Sequence, residues 1–122
     1  MVKRILVVDD SQTLRELAAM TLEVMGDDII ETASDGLEAQ RLLQEKAFDL
    51  VLTDLDMPHM GGDELIAWMK SEDRCRTIPV IVLTAGVDQV RVEIARKYQI
   101  QGLLEKPFQP APLAEVVRKA LQ

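Results

Sequence analysis

The sequence predicts an α/β fold: a five-stranded parallel sheet, strand order 2-1-3-4-5, doubly wound by five helices on both faces. Three observations carry that expectation. Short unbroken apolar runs recur along the chain, segments with helical spacing fill the gaps between them, and glycines and prolines punctuate the boundaries. Continuous apolar runs mark strands buried on both faces, the habit of parallel sheets. Strands alternating with helices imply right-handed crossovers, which place helices on both sides of the sheet.

The strand runs are Ile5–Val8, Ile29–Ile30, Leu50–Leu52, Val80–Leu83 and Leu103–Leu104. In the first gap, Leu14, Leu17, Ala18, Thr21, Leu22 and Met25 fall at offsets 0, 3, 4, 7, 8 and 11, one face of a helix. A weaker helix is predicted from Gly36 to Lys46 on Leu37, Ala39, Leu42 and Leu43. Leu65, Ile66 and Met69 mark the third helix, Val90, Ile94 and Tyr98 the fourth, and Leu113, Val116, Val117 and Leu121 the fifth. Ser11 and Asp35 stand where N-caps of the first two helices are expected. Trp68 falls off the third helix's stripe, which predicts a partly exposed position; Cys75 sits among charged residues, which predicts a loop.

The chain of 122 residues fits one domain spanning 1–122. A net charge of -7 argues against a nucleic-acid surface, which needs a basic footprint. The single cysteine cannot form an internal disulfide, which suits a reducing cytoplasm. No apolar run approaches the roughly 18 residues that cross a bilayer. Asp9 and Asp10 also cut the first run short of the roughly 7–15 apolar residues of a signal peptide. No helix-turn-helix or other output module is read here, leaving a stand-alone unit or the N-terminal part of a longer chain.

Polar residues that break the burial pattern point to function. In an open parallel α/β sheet, ligands gather beyond the carboxyl ends of the strands, where the strand order reverses. Asp9 and Asp10 end the first strand, Asp54 the third, Thr84 the fourth and Lys106 the fifth. Each has an ordinary reading as a cap, turn former or loop residue, but all of them fall at one rim of the predicted sheet. Crowded carboxylates repel, by about 4 kcal/mol per pair at 4 Å and an effective dielectric near 20, unless a cation joins them. Oxygen donors without His or Cys select a hard ion such as Mg²⁺. Mg²⁺, a lysine and a hydroxyl together suit a phosphoryl group, and a carboxylate can accept that group as an acyl phosphate. Asp54, at the end of the middle strand, is the candidate acceptor.

These residues resemble the receiver domain of two-component response regulators, over about Lys3 to Leu121. The likeness rests on Val7-Val-Asp-Asp-Ser11, Leu52-Thr-Asp-Leu-Asp-Met-Pro58 with Gly62, Val80-Ile-Val-Leu-Thr-Ala85 and Glu105-Lys-Pro-Phe108. Asp10-Ser11 with Arg15 is similar to the start of chemotaxis-type single-domain regulators. The resemblance implies a flavodoxin-like (βα)5 fold and a phosphoryl group passed to Asp54 from a sensor histidine kinase or histidine phosphotransfer domain. It implies that Asp10, Asp54 and the backbone carbonyl of Asp56 ligate Mg²⁺, with Asp9 acting mostly through water. Lys106 and Thr84 would bind the phosphoryl oxygens, and the Lys106-Pro107 bond would be cis. A downstream protein would be met by the face of the fourth helix, fifth strand and fifth helix, with no direct nucleic-acid or membrane contact.

Two positions depart from the family pattern. Leu103 stands where a switching Tyr or Phe is usual, so coupling between Thr84 and the output face is expected to differ. Asp56 adds a carboxylate two residues past the acceptor; it either affects how fast water removes the phosphate or is a solvated loop acid. His59, the only histidine, is expected to serve its loop rather than to carry phosphate. Asp54-Leu-Asp56 is also similar to the Asp-x-Asp motif of haloacid-dehalogenase-type aspartyl-phosphate hydrolases. Against that reading, Asp54 follows the third strand instead of the first, Pro58 replaces the usual Thr or Val, and the acidic pair precedes the nucleophile. A pseudo-receiver that binds partners without phosphorylation is the other alternative, and the intact acidic, hydroxyl and lysine set argues against it.

Overall fold

The computed structural model describes residues 2–26, 28–86 and 88–122. Five strands and five helices alternate: β1 (Arg4–Val8), α1 (Gln12–Met25), β2 (Ile29–Ala33), α2 (Gly36–Glu45), β3 (Leu50–Asp54), α3 (Gly62–Ser71), β4 (Val80–Thr84), α4 (Gln89–Lys97), β5 (Gly102–Glu105) and α5 (Pro110–Ala120). The sheet order is β2-β1-β3-β4-β5, and each neighbouring pair is parallel. The expected architecture is therefore the observed one. No helix among the described residues is long and apolar enough to cross a membrane.

Successive residues of the buried strands feed two cores, because strand side chains alternate between sheet faces. Leu6, Val8, Val51, Val80 and Val82 point to the side of α2 and α3, where Leu43, Leu65, Ile66 and Met69 meet them. Ile5, Val7, Leu50, Leu52, Ile81 and Leu83 point to the side of α1 and α5, against Ala18, Leu22, Leu113 and Val117. Fully burying one such Leu, Ile or Met side chain stabilises by about 1.5–3 kcal/mol. The Ser11 and Asp35 side chains accept from the backbone N–H groups of Leu14 and Glu38, which confirms both caps.

Several expectations fail at the edges of these elements. Leu17 and Met25 are 37% and 40% exposed, because α1 buries only the narrow strip of Ala18 and Leu22. Leu37 and Val90 likewise face water. β2 is one of the sheet's two edge strands, so Ile29 is exposed and this strand is not covered as the central ones are. Cys75 is buried in the α2–α3 core rather than set in an open loop. A tight turn after α3, in which Cys75 N–H donates to Glu72 and Ile78 N–H donates to Cys75, folds it inward.

Candidate functional site

The rim at the carboxyl ends of the strands gathers the residues singled out by the sequence. Asp54 is the last residue of the fully buried β3, Thr84 the last of β4, and Asp9 and Lys106 directly follow β1 and β5. Asp9, Asp54 and Thr84 are buried, whereas Asp10 opens to solvent. One oxygen from each of Asp9, Asp10 and Asp54 lies within 4.8 Å of the others. Lys106 Nζ sits 2.7 Å from Asp9 Oδ2 and 3.2 Å from Asp54 Oδ2. Pro107 is exposed and its bond to Lys106 is cis, as expected.

Local hydrogen bonds fix each group. Asp9 N–H donates to the Ala33 carbonyl, and the Asp9 carbonyl accepts from Arg15 Nη1 at 2.6 Å. Asp9 Oδ1 accepts from Ser11 N–H at 2.9 Å, and Asp54 Oδ1 from Asp56 N–H at 3.3 Å. The Thr53 hydroxyl donates to the Asp54 carbonyl at 2.8 Å, closing the end of β3. Thr84 Oγ1 donates to the Gly86 carbonyl at 2.9 Å, within the β4–α4 turn. Leu103, in β5, is partly buried and packs on the α2–α3 core together with Ile94 and Tyr98 of α4.

The charges here do not balance: three carboxylates face one ammonium. Burial pushes the Asp54 carboxyl above its ordinary range and Asp9 adds to the shift, while Lys106 pulls against it. Burial alone would lower the Lys106 ammonium, but the two carboxylates outweigh it and hold the group above its usual value. Asp9 Oδ2 is buried and among the described residues faces Lys106 Nζ alone, an ammonium that it must share with Asp54, so the pair of buried carboxylates is only half neutralised. A buried carboxylate oxygen left so costs free energy that a cation would offset. The all-oxygen donor set and a spread close to the about 4.2 Å between opposite oxygens around Mg²⁺ fit that ion.

Sequence reasoning named three contributors without seeing what they touch. Gly62 opens α3 directly against β3: a Cβ there would lie 2.0 Å from the Asp54 carbonyl oxygen, so the backbone position of Asp54 depends on a missing side chain. The Gly62 of the family-like motif was in view, but only the fold reveals its neighbour. His59 adopts a positive φ of 67°, and its Nδ1 lies 2.8 Å from Oδ2 of Asp35, the α2 cap, which ties the β3–α3 loop to α2. Asp56 is exposed but not solitary, for its Oδ2 accepts from Arg91 Nη2 of α4 at 2.7 Å. The two residues are 35 positions apart, and no local pattern links them.

Comparison with known proteins agrees with this architecture. The family model described as "Response regulator receiver domain" matches residues 5–118. The chain is 35% identical to chemotaxis protein CheY1 of Helicobacter pylori, over 97% of this chain and 96% of that one. It is 32% identical to chemotaxis protein CheY-3 of Vibrio cholerae, over 98% of this chain and 92% of that one. Among solved structures, the chemotaxis response regulator CheY4 of Vibrio cholerae superposes with a TM-score of 0.92 at 30% identity, covering 99% of this chain and 100% of that one. The signal receiver domain of a histidine kinase from Syntrophus aciditrophicus gives a TM-score of 0.88 at 35% identity, covering 98% and 90% of the two chains. By fold, by the order of its motifs and by these matches, the chain belongs to the response regulator receiver domain family.

Proposed function

We propose that residues 1–122 form a phosphoacceptor receiver domain, of the chemotaxis type, in which Asp54 takes a phosphoryl group from a histidine kinase or histidine phosphotransfer domain. The observation that carries this reading is the gathering of Asp9, Asp10, Asp54 and Lys106 at one rim, with more negative charge than the lysine can balance. An Asp54 carboxylate oxygen forms the new O–P bond as the P–N bond to the donor imidazole breaks, and the ring nitrogen keeps the electron pair. Lys106, already beside Asp54, holds one phosphoryl oxygen, and the Thr84 hydroxyl donates to another. Asp10, Asp54 and the Asp56 backbone carbonyl are the direct holders assigned to Mg²⁺, with Asp9 acting through water. Bound Mg²⁺ supplies neutralisation of the phosphoryl oxygens' charge.

The domain acts as a signalling module that gains and loses its phosphate, not as a turnover enzyme, and works in the cytoplasm. A protein target is met by the face of α4, β5 and α5. Support for that face comes from α4, which has no buried residue and exposes Val90. Leu103 replaces an aromatic switch there with a side chain that can repack but presents no ring edge or hydroxyl.

Incubation with acetyl phosphate and Mg²⁺ tests the reading by intact mass. One phosphoryl group adds about 80 Da. The gain is expected in the wild type and lost in Asp54→Asn. An unchanged wild-type mass would favour a pseudo-receiver, and steady turnover of p-nitrophenyl phosphate would favour a hydrolase.

A further inference from the structure

Among the described residues, Arg91 of α4 reaches the turn after Asp54 with charge. Its Nη2 donates to Asp56 Oδ2 and its Nη1 to Asp88 Oδ2, both at 2.7 Å. Asp88 is the N-cap of α4, and its Oδ1 accepts from the Arg91 backbone N–H at 3.0 Å. Asp56, in turn, donates its backbone N–H to Asp54 Oδ1 at 3.3 Å. A continuous polar path therefore runs from the Asp54 carboxylate through Asp56 and Arg91 to the first turn of α4.

Three further observations give this path weight. α4 has no buried residue and leans on the core only through partly buried side chains such as Ile94 and Tyr98, so few apolar contacts compete with its polar tether. Arg91 Nε is buried without an acceptor among the described residues. That unsatisfied donor is a cost, which the charge-assisted bonds of the guanidinium to two carboxylates from different segments offset. Leu55, Val90 and Ile94 line the same cleft of about 180 Å³ with Asp56, Asp63 and Arg91, so the pair lies over a hollow rather than over packed core.

We propose that Arg91 is a positioning residue: its ion pair with Asp56 ties α4 to the acceptor turn, so that a change of charge at Asp54 is felt in α4. The pair provides a polar route to α4 in a chain whose usual aromatic switch position is Leu103. It does not depend on Asp54 being phosphorylated, because any change in that carboxylate's charge acts on the Asp56 N–H that it binds.

Hydrogen exchange of the α4 amides tests this in wild type, Asp54→Asn, Arg91→Gln and the double variant, with intact mass after acetyl phosphate recorded alongside. Arg91→Gln retains the backbone cap to Asp88, and it should speed α4 exchange by about three- to ten-fold while leaving the β1, β3 and β4 amides unchanged. Asp56→Asn, which keeps the Arg91–Asp88 pair, should give the same change in direction at a smaller size. Asp54→Asn should change α4 exchange severalfold when Arg91 is present and leave it unchanged when Arg91 is Gln. A helix merely loosened by losing an ion pair would still respond to Asp54, so an undiminished Asp54 effect without Arg91 overturns the proposal. So does α4 exchange indifferent to Arg91→Gln. The mass measurement speaks separately to phosphorylation.

Discussion

Asp54→Asn should make the unloaded domain more stable at neutral pH while removing the proposed phosphoacceptor. With Asp9, Asp10 and Asp54 oxygens within 4.8 Å, each repulsion on Asp54 is at least about 3.5 kcal/mol at an effective dielectric near 20. Lys106 at 3.2 Å returns about 5 kcal/mol on the same scale. A net repulsion of about 2 kcal/mol remains; burial of the charge adds to it and the solvent exposure of Asp10 reduces it. That corresponds to a rise in Tm of roughly 6–10 °C for a domain of this size. The pH dependence gives the test its sign. The folded carboxyl is held above its ordinary 3.8, so the native state binds more protons than the unfolded chain just above that value. Wild-type stability therefore loses this contribution as pH rises through that interval, and Asp54→Asn is spared the loss. Urea unfolding of both proteins in Mg²⁺-free buffer, from about pH 3.5 to about pH 7, should show a difference that is small at the acid end and full at neutrality. Equal stability at neutral pH, or a gain independent of pH, would refute the electrostatic account.

Three other outcomes are expected. Mg²⁺ should raise the wild-type Tm by an amount equivalent to about 1.4 kcal/mol at ten times its Kd, and the rise should shrink in Asp10→Asn, as read by thermal melts. Gly62→Ala should cost about 2–4 kcal/mol in urea unfolding, because its methyl would lie 2.0 Å from the Asp54 carbonyl oxygen, backbone that cannot swing aside. Burial pushes the Cys75 thiol above its usual pKa, so a thiol-reactive disulfide reagent should modify the native protein slowly and the urea-unfolded protein at once.

What was readable in the sequence follows from what a period can encode. The buried stripe Leu65, Ile66 and Met69 was legible because α3 packs one face on the sheet and repeats at helical spacing. The rim residues were legible because an Asp, Thr or Lys ending an apolar run is conspicuous, and parallel strands put such ends together. Leu17 and Met25 were misplaced because periodicity gives the direction of a helix face but not its width, which the neighbouring sheet and α5 decide. Ile29 was misplaced because an apolar run does not show which of its residues stay open to water, even though the predicted order already put its strand at the edge. Cys75 lies past the end of α3, where no period operates and a turn decides burial. The pairing of Asp56 with Arg91 was invisible, since only the folded chain brings those positions together.

The Thr84 hydroxyl has one proton, and the structure commits it to the Gly86 carbonyl. Any newcomer at Asp54 that recruits this donor must take it from the turn that leads into α4, and that carbonyl is then left to find water. Output by this route would begin with the loss of a side-chain-to-backbone hydrogen bond in the β4–α4 turn. A substitution such as Thr84→Val, which takes away the donor altogether, should leave the turn without this restraint whether or not a phosphate is present.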